Sequence, residues 1–206
     1  MKKGLTEIIY VLDGSGSMES MREAVVFGFN KFVSDQKQGK GDARLTLVQF
    51  SDYDKIQTLF DNINIQVIPV WTMRDYLPEG NTALYDAVGK TIDVVGSRLS
   101  VTPEDQRPEK VLFVIYTDGM ENNSRFYTKQ DVNEKTAHQL EVYSWEFIYL
   151  GSNQDSCENA RGLGINNYAN VAYVASSIEN SYATLSKAVS ELRSTGFISQ
   201  LDPDIK

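Results

Sequence analysis

One cysteine and one histidine in 206 residues remove several chemistries at once. A single thiol, Cys157, cannot close an internal disulfide. One cysteine and one histidine cannot fill a tetrahedral zinc shell. His138 has no serine or aspartate signature tied to it, so it reads as a surface histidine rather than part of a Ser-His-Asp triad. Cys157 lacks an evident base and reads as a small buried or semi-buried residue. Long apolar runs are also missing, and none approaches the ~20 residues that span a bilayer. Met1, Lys2 and Lys3 lead almost directly into the first apolar run, which leaves no room for a secretory leader. These absences read as a cytoplasmic protein, off the membrane, of a kind a phage genome could equally encode. Basic residues are in deficit, 20 against 28 acidic, for a net charge of -8. With no Lys/Arg stripe as a local exception, such a surface repels phosphates, and nucleic acid is not expected as a partner. No Pro/Gly/Ser-rich linker interrupts the chain, and 41% hydrophobic content suffices for one core, so residues 1–206 read as a single domain.

What is present begins with EIIYVLDGSGSMESM, residues 7–21. Ile8 to Leu12 is an unbroken apolar run with β-branched and aromatic character, as in a parallel strand buried on both faces, and it stops at Asp13. Beyond Ser17, Met18, Met21, Val25, Phe29 and Phe32 recur at helical spacing as far as Gln36, with Val26 and Val33 widening the stripe. ARLTLVQF (43–50) and KIQTLF (55–60) flank the turn formers of 51–54 and predict an antiparallel hairpin that places the second of them at a sheet edge. Ile63, Ile65 and Val67 also alternate, but with Pro69 and the mixed VWTMRDYL segment that follows, the region reads as irregular chain or a short helix. In LPEGNTALYDAV, Asn81 or Thr82 is a candidate N-cap for a helix with Leu84, Val88, Ile92, Val95 and Leu99 on one face. Val111 to Tyr116 repeats the opening pattern and ends at Thr117 and Asp118. Thr128 with Asp131 predicts a capped helix through Leu140. A strand at 145–150, a short helix at 156–162, a strand at 171–175 and a helix at 178–192 complete the succession. Strands alternating with helices predict an α/β fold, Rossmann-like and doubly wound, with a mostly parallel central sheet, one antiparallel edge strand and helices on both faces.

Ligands of such sheets bind outside the carboxyl ends of the strands, where Asp13, Ser15, Ser17 and Asp118 stand and where the start of the intervening helix adds Thr82. If the two Asp-ended strands are neighbours, two carboxylates and three hydroxyls converge. An oxygen-only shell of this kind suits Mg²⁺ or Mn²⁺, with Ca²⁺ less well matched. DGSGSM, then PEGNTALYDA, then VIYTDG resembles the von Willebrand factor A domain, whose DxSxS, Thr and Asp elements form a metal ion-dependent adhesion site. All three elements occur in order, and the resemblance covers essentially the whole chain. It implies that Asp13, Ser15 and Ser17 take the first-loop roles, Thr82 the second and Asp118 the third. It also implies a protein partner that supplies an exposed Asp, Glu or C-terminal carboxylate, and a binding module rather than an enzyme.

Simpler readings stand beside this one. Ser15 or Ser17 could be N-caps and Asp13 a turn residue. Glu121, Asn122 and Asn123 could line a ligand surface or form a solvated loop, and the loops around Tyr53 and Phe126/Tyr127 could supply apolar contact. A metal-dependent phosphate-ester hydrolase with Asp13 as nucleophile or ligand is an alternative. The haloacid dehalogenase-like pattern, however, has a second aspartate where this chain has Ser15. GSGSMES lacks the third glycine of a dinucleotide fingerprint. A structural or assembly subunit using the same site is a further alternative, and the oligomeric state is open.

Overall fold

The computed structural model describes residues 1–151, 156–165, 171–173 and 178–198, with backbone only at 156–157, 171–173 and 178–181. Strands β1 (Lys2–Asp13), β2 (Asp42–Phe50), β3 (Ile56–Asn64), β4 (Pro108–Thr117), β5 (Glu146–Gly151) and β6 (Val171–Tyr173) form one sheet in the order β3-β2-β1-β4-β5-β6. Among the described strands only β3 runs antiparallel, against β2 at the edge. Helices α1 (Arg22–Gln38), α2 (Leu84–Val101), α3 (Lys129–Tyr143), α4 (Ser156–Gly162) and α5 (Ile178–Thr195) cover both faces. This is the expected doubly wound architecture.

Alternation along the central strands divides the core in two, because successive side chains leave a strand on opposite faces. Ile8, Tyr10 and Leu12 of β1, with Leu112, Val114 and Tyr116 of β4, face Phe29 and Phe32 of α1 and Leu185 and Val189 of α5. Ile9 and Val11, with Phe113 and Ile115, face Val88 and Ile92 of α2 and Val132 of α3. Both strands are buried on both sides, which is why their sequences read as continuous apolar runs. Since β1 lies between β2 and β4, Asp13 and Thr117 leave the sheet side by side at one edge.

Several local expectations need correction. The segment after Ser15 is first a 3-10 turn, Gly16–Met21, and α1 begins only at Arg22. Strand β3 continues past Phe60 to Asn64, through register shifts and a left-handed Asn62 at φ 52°. Its alternation is masked because the edge strand is largely exposed and polar. A 3-10 turn at Ile65–Val67 is followed by irregular chain. The capping box of Thr128 and Asp131 is present, but α3 runs three residues beyond Leu140. Neither Asn81 nor Thr82 caps α2, whose N-cap position is Ala83. His138 is exposed. The Cys157 side chain and the loop following β5 lie outside the described residues.

Candidate metal centre

Asp13 ends β1 with no exposed surface. Its Oδ1 accepts the backbone N–H of Ser15 at 2.7 Å, and its Oδ2 accepts the Thr117 hydroxyl at 2.5 Å. The Tyr76 hydroxyl donates to its carbonyl oxygen at 2.5 Å. Ser15, also buried, places its Oγ 3.0 Å from Ser17 Oγ, and Ser17 Oγ donates to Asp118 Oδ1 at 2.8 Å. The serines therefore do not spend their hydroxyls on capping: Ser15 occupies the N-cap position of the 3-10 turn without a side-chain cap bond. The group grades from buried Asp13 and Ser15 to exposed Ser17 and half-buried Asp118, so it opens to solvent on one side.

Thr82 joins this group across Gly119. A Cβ at Gly119 would stand 3.1 Å from Thr82 Oγ1 and 3.6 Å from Asp13 Oδ2, so the missing side chain leaves a small space between those oxygens. All five predicted residues are thus brought to one place. Backbone bonds join their loops: Glu79 donates to the Gly14 carbonyl, Gly16 to Gly80, Ala83 to Ser51 and Asn122 to Thr82.

The amide groups that begin α2 are capped by the third loop rather than by local residues. Glu121 Oε2 accepts from Tyr85 N at 2.9 Å, and Ser124 Oγ accepts from Asp86 N at 3.0 Å. Asp86 in turn accepts the N–H groups of Arg125, Phe126 and Tyr127. Glu121, Asn122 and Asn123 are scaffold: Glu121 binds its own loop at Asn123 and Ser124, Asn122 accepts Thr82 N–H, and Asn123 accepts Tyr53 N–H. Thr117, Tyr76 and Asp86 support the site through partners distant in sequence. Their partners lie 104, 63 and about 40 residues away, and only the position of Thr117 beside Asp118 at a strand end hinted at a role.

Burial pushes the Asp13 carboxyl up to about 6, and the charge of Asp118 adds to the rise, while the bonds from Thr117 and Ser15 oppose it. Burial raises Asp118 as well. Two carboxylates whose charged forms are disfavoured, next to three hydroxyls, form an oxygen set that a hard divalent cation fits. Among the described residues there is no cluster of three or more His, Cys, Asp or Glu able to hold a metal, so any centre at this edge relies on hydroxyl oxygens.

A sequence profile of the von Willebrand factor type A domain matches residues 7–188. The chain belongs to that family. Among solved structures, this von Willebrand factor A domain is similar to the pilus adhesin SpaC from Lactobacillus rhamnosus GG in an open conformation. The TM-score is 0.65, with 13% identity over 93% of this chain and 30% of that one. Proximal thread matrix protein 1 from the mussel byssus gives 0.61 and 15% identity, over 92% of this chain and 46% of that one; another structure of it has a zinc-occupied MIDAS motif. Manganese-loaded TRAP protein of Plasmodium vivax gives 0.60 and 17% identity, over 89% and 72%. The chain spans less than half the length of the SpaC and mussel proteins. Identities at this level establish the fold alone. A search of curated proteins returns no match.

Proposed function

We propose that this domain is a divalent-metal-dependent protein-binding module that captures an acidic side chain or a C-terminal carboxylate of a partner protein. Asp13, Ser15, Ser17, Thr82 and Asp118 would hold the cation, Mg²⁺ or Mn²⁺. The observation that carries this reading is the run of side-chain oxygens from Ser15 through Ser17 to Asp118, flanked by Asp13 and by Thr82 across Gly119. The manganese and zinc forms of proteins with similar folds support a divalent metal. When bound, the cation supplies a Lewis acid for one external carboxylate. Asp13 and its bonds to Thr117 and Ser15 hold the first loop in place. Ser17 and Asp118, on the open side, are where a partner approaches.

Pull-down with the wild type against a Ser15→Ala/Ser17→Ala variant, with Mg²⁺ and with chelator, tests the reading. Partner retention only by the wild type in Mg²⁺ is expected. Retention unchanged by chelator and by the double substitution would overturn it. The same preparations assayed on generic phosphate esters should give no Mg²⁺-dependent turnover, whereas turnover lost in Asp13→Ala would replace the binding reading with the hydrolase one.

A further inference from the structure

Asp86, 1% exposed, accepts the backbone N–H groups of Arg125, Phe126 and Tyr127 at 2.8, 2.8 and 2.7 Å. Three consecutive amides held by one buried carboxylate leave the chain there little freedom to turn, and so they decide which side chains face out. Tyr127 faces in: its hydroxyl donates to Asp93 at 2.8 Å, and its ring lies against Gly89. Phe126 faces out, 73% exposed, and Met120 of the same loop is 65% exposed. Arg125 lays its guanidinium 3.6 Å from the centre of the Tyr53 ring, and the Tyr53 and Phe126 ring centroids are 6.3 Å apart.

This cluster is tied to the candidate metal centre. Tyr53 N–H donates to Asn123, and the adjacent Asn122 accepts Thr82 N–H. Among the described residues Arg125 makes no salt bridge, although the chain carries a net charge of -8. A guanidinium stacked on a ring keeps its N–H edge available for a carboxylate, with which it can pair through two hydrogen bonds. The exposed Phe126 ring, on backbone held by buried Asp86, and the exposed Met120 of the same loop present apolar surface on the loop that carries Asp118 of the candidate metal centre.

We propose that Tyr53, Arg125, Phe126 and Met120 form a second recognition surface beside the metal centre. It fits a partner segment with two acidic side chains and one apolar side chain. One carboxylate goes to the cation, the second pairs with Arg125, and the apolar group covers Phe126 and Met120. The first of these contacts rests on the metal-binding reading; the other two do not. Charge complementarity favours an acidic occupant, because the exposed Arg125 guanidinium makes no salt bridge among the described residues and stacks on Tyr53.

A random peptide library displayed on phage, selected against the purified domain in Mg²⁺, tests this. Selections on Arg125→Gln, Phe126→Ser and Asp118→Ala, and on the wild type in chelator, run in parallel with a magnesium titration of each protein. The first two substitutions remove exposed side chains and keep the backbone bonds to Asp86. Wild-type selection should enrich peptides with two acidic positions and an aromatic or aliphatic one. Arg125→Gln should lose the second acidic position and Phe126→Ser the apolar one, each weakening a selected peptide about tenfold in fluorescence anisotropy while leaving magnesium binding unchanged. Enrichment of a single acidic position, enrichment identical on the two surface variants, or none on a protein that binds Mg²⁺ would overturn the second surface and leave the metal reading intact. Absent magnesium binding, with enrichment that survives Asp118→Ala and chelator, would instead overturn the metal reading, and the surface would then stand or fall on the Arg125→Gln and Phe126→Ser results.

Discussion

Asp13 has no exposed surface, and burial pushes its carboxyl from 3.8 up to about 6. A carboxyl whose folded value lies above its unfolded one binds more protons in the native state between those values. Its contribution to stability is therefore full below pH 4 and is lost as pH rises through about 6. The loss is at most about 3 kcal/mol. A divalent cation must displace that proton, so Mg²⁺ affinity should fall below pH 6 and binding near pH 6 should release a proton. Calorimetry in two buffers of different ionisation enthalpy reads that proton directly; identical heats would contradict it. Asp13→Asn should flatten the dependence of metal-free stability on pH and abolish the response to Mg²⁺. Gly119 lies beside the same site oxygens. An alanine there would place its Cβ 3.1 Å from Thr82 Oγ1, inside the space between the site oxygens. Gly119→Ala should keep the fold, shifting stability by about 1 kcal/mol or less, while reducing the thermal shift caused by Mg²⁺. An undiminished shift would place the cation elsewhere.

At the scale of elements, the start of α2 and the third loop complete each other's hydrogen bonding. Asp86→Ala would strip acceptors from three amides of that loop and should cost about 2–4 kcal/mol in urea unfolding, with faster hydrogen exchange concentrated in residues 121–127. Loss spread evenly over the sheet would contradict a local role. Across the other face of the sheet, α1 and α5 meet so closely at Gly28 that a Cβ would overlap the Tyr182 ring. Gly28→Ala should destabilise by about 1–3 kcal/mol, and a second change of Tyr182→Leu should recover part of it. Much of this level was legible in the residues. Val111 to Tyr116 and Ile8 to Leu12 announced buried parallel strands, and the 178–192 periodicity announced α5. Trans-capping of α2 by Glu121 and Ser124 was not legible, because those partners lie 36 and 38 residues away and leave no local spacing. Thr82 looked like a cap for the same reason: a hydroxyl before a helix is ambiguous until the amides it would satisfy are seen to have other partners. The far half of β3 was obscured by its exposure at the sheet edge.

For the whole molecule, the sheet order does the decisive work. By placing β1 between β2 and β4, it brings together carboxylates separated by about a hundred residues of sequence, and the oxygens of Ser15, Ser17 and Thr82 gather around them. The residue types at the two strand ends made that convergence legible in advance, conditional on the strands being neighbours. What they did not reveal is the support beneath it from Thr117, Tyr76 and Asp86, since each reaches its partner only in the folded chain. Among the described residues no helix is long and apolar enough to cross a membrane. The proposed centre has these five side chains holding one divalent cation. Isothermal titration of the wild-type domain with Mg²⁺ and Mn²⁺ at neutral pH, repeated on Asp13→Ala and Asp118→Ala, tests it most directly. Saturable binding to one site, abolished by each substitution, is expected. No binding by the wild type, or binding that persists in Asp118→Ala, would contradict it.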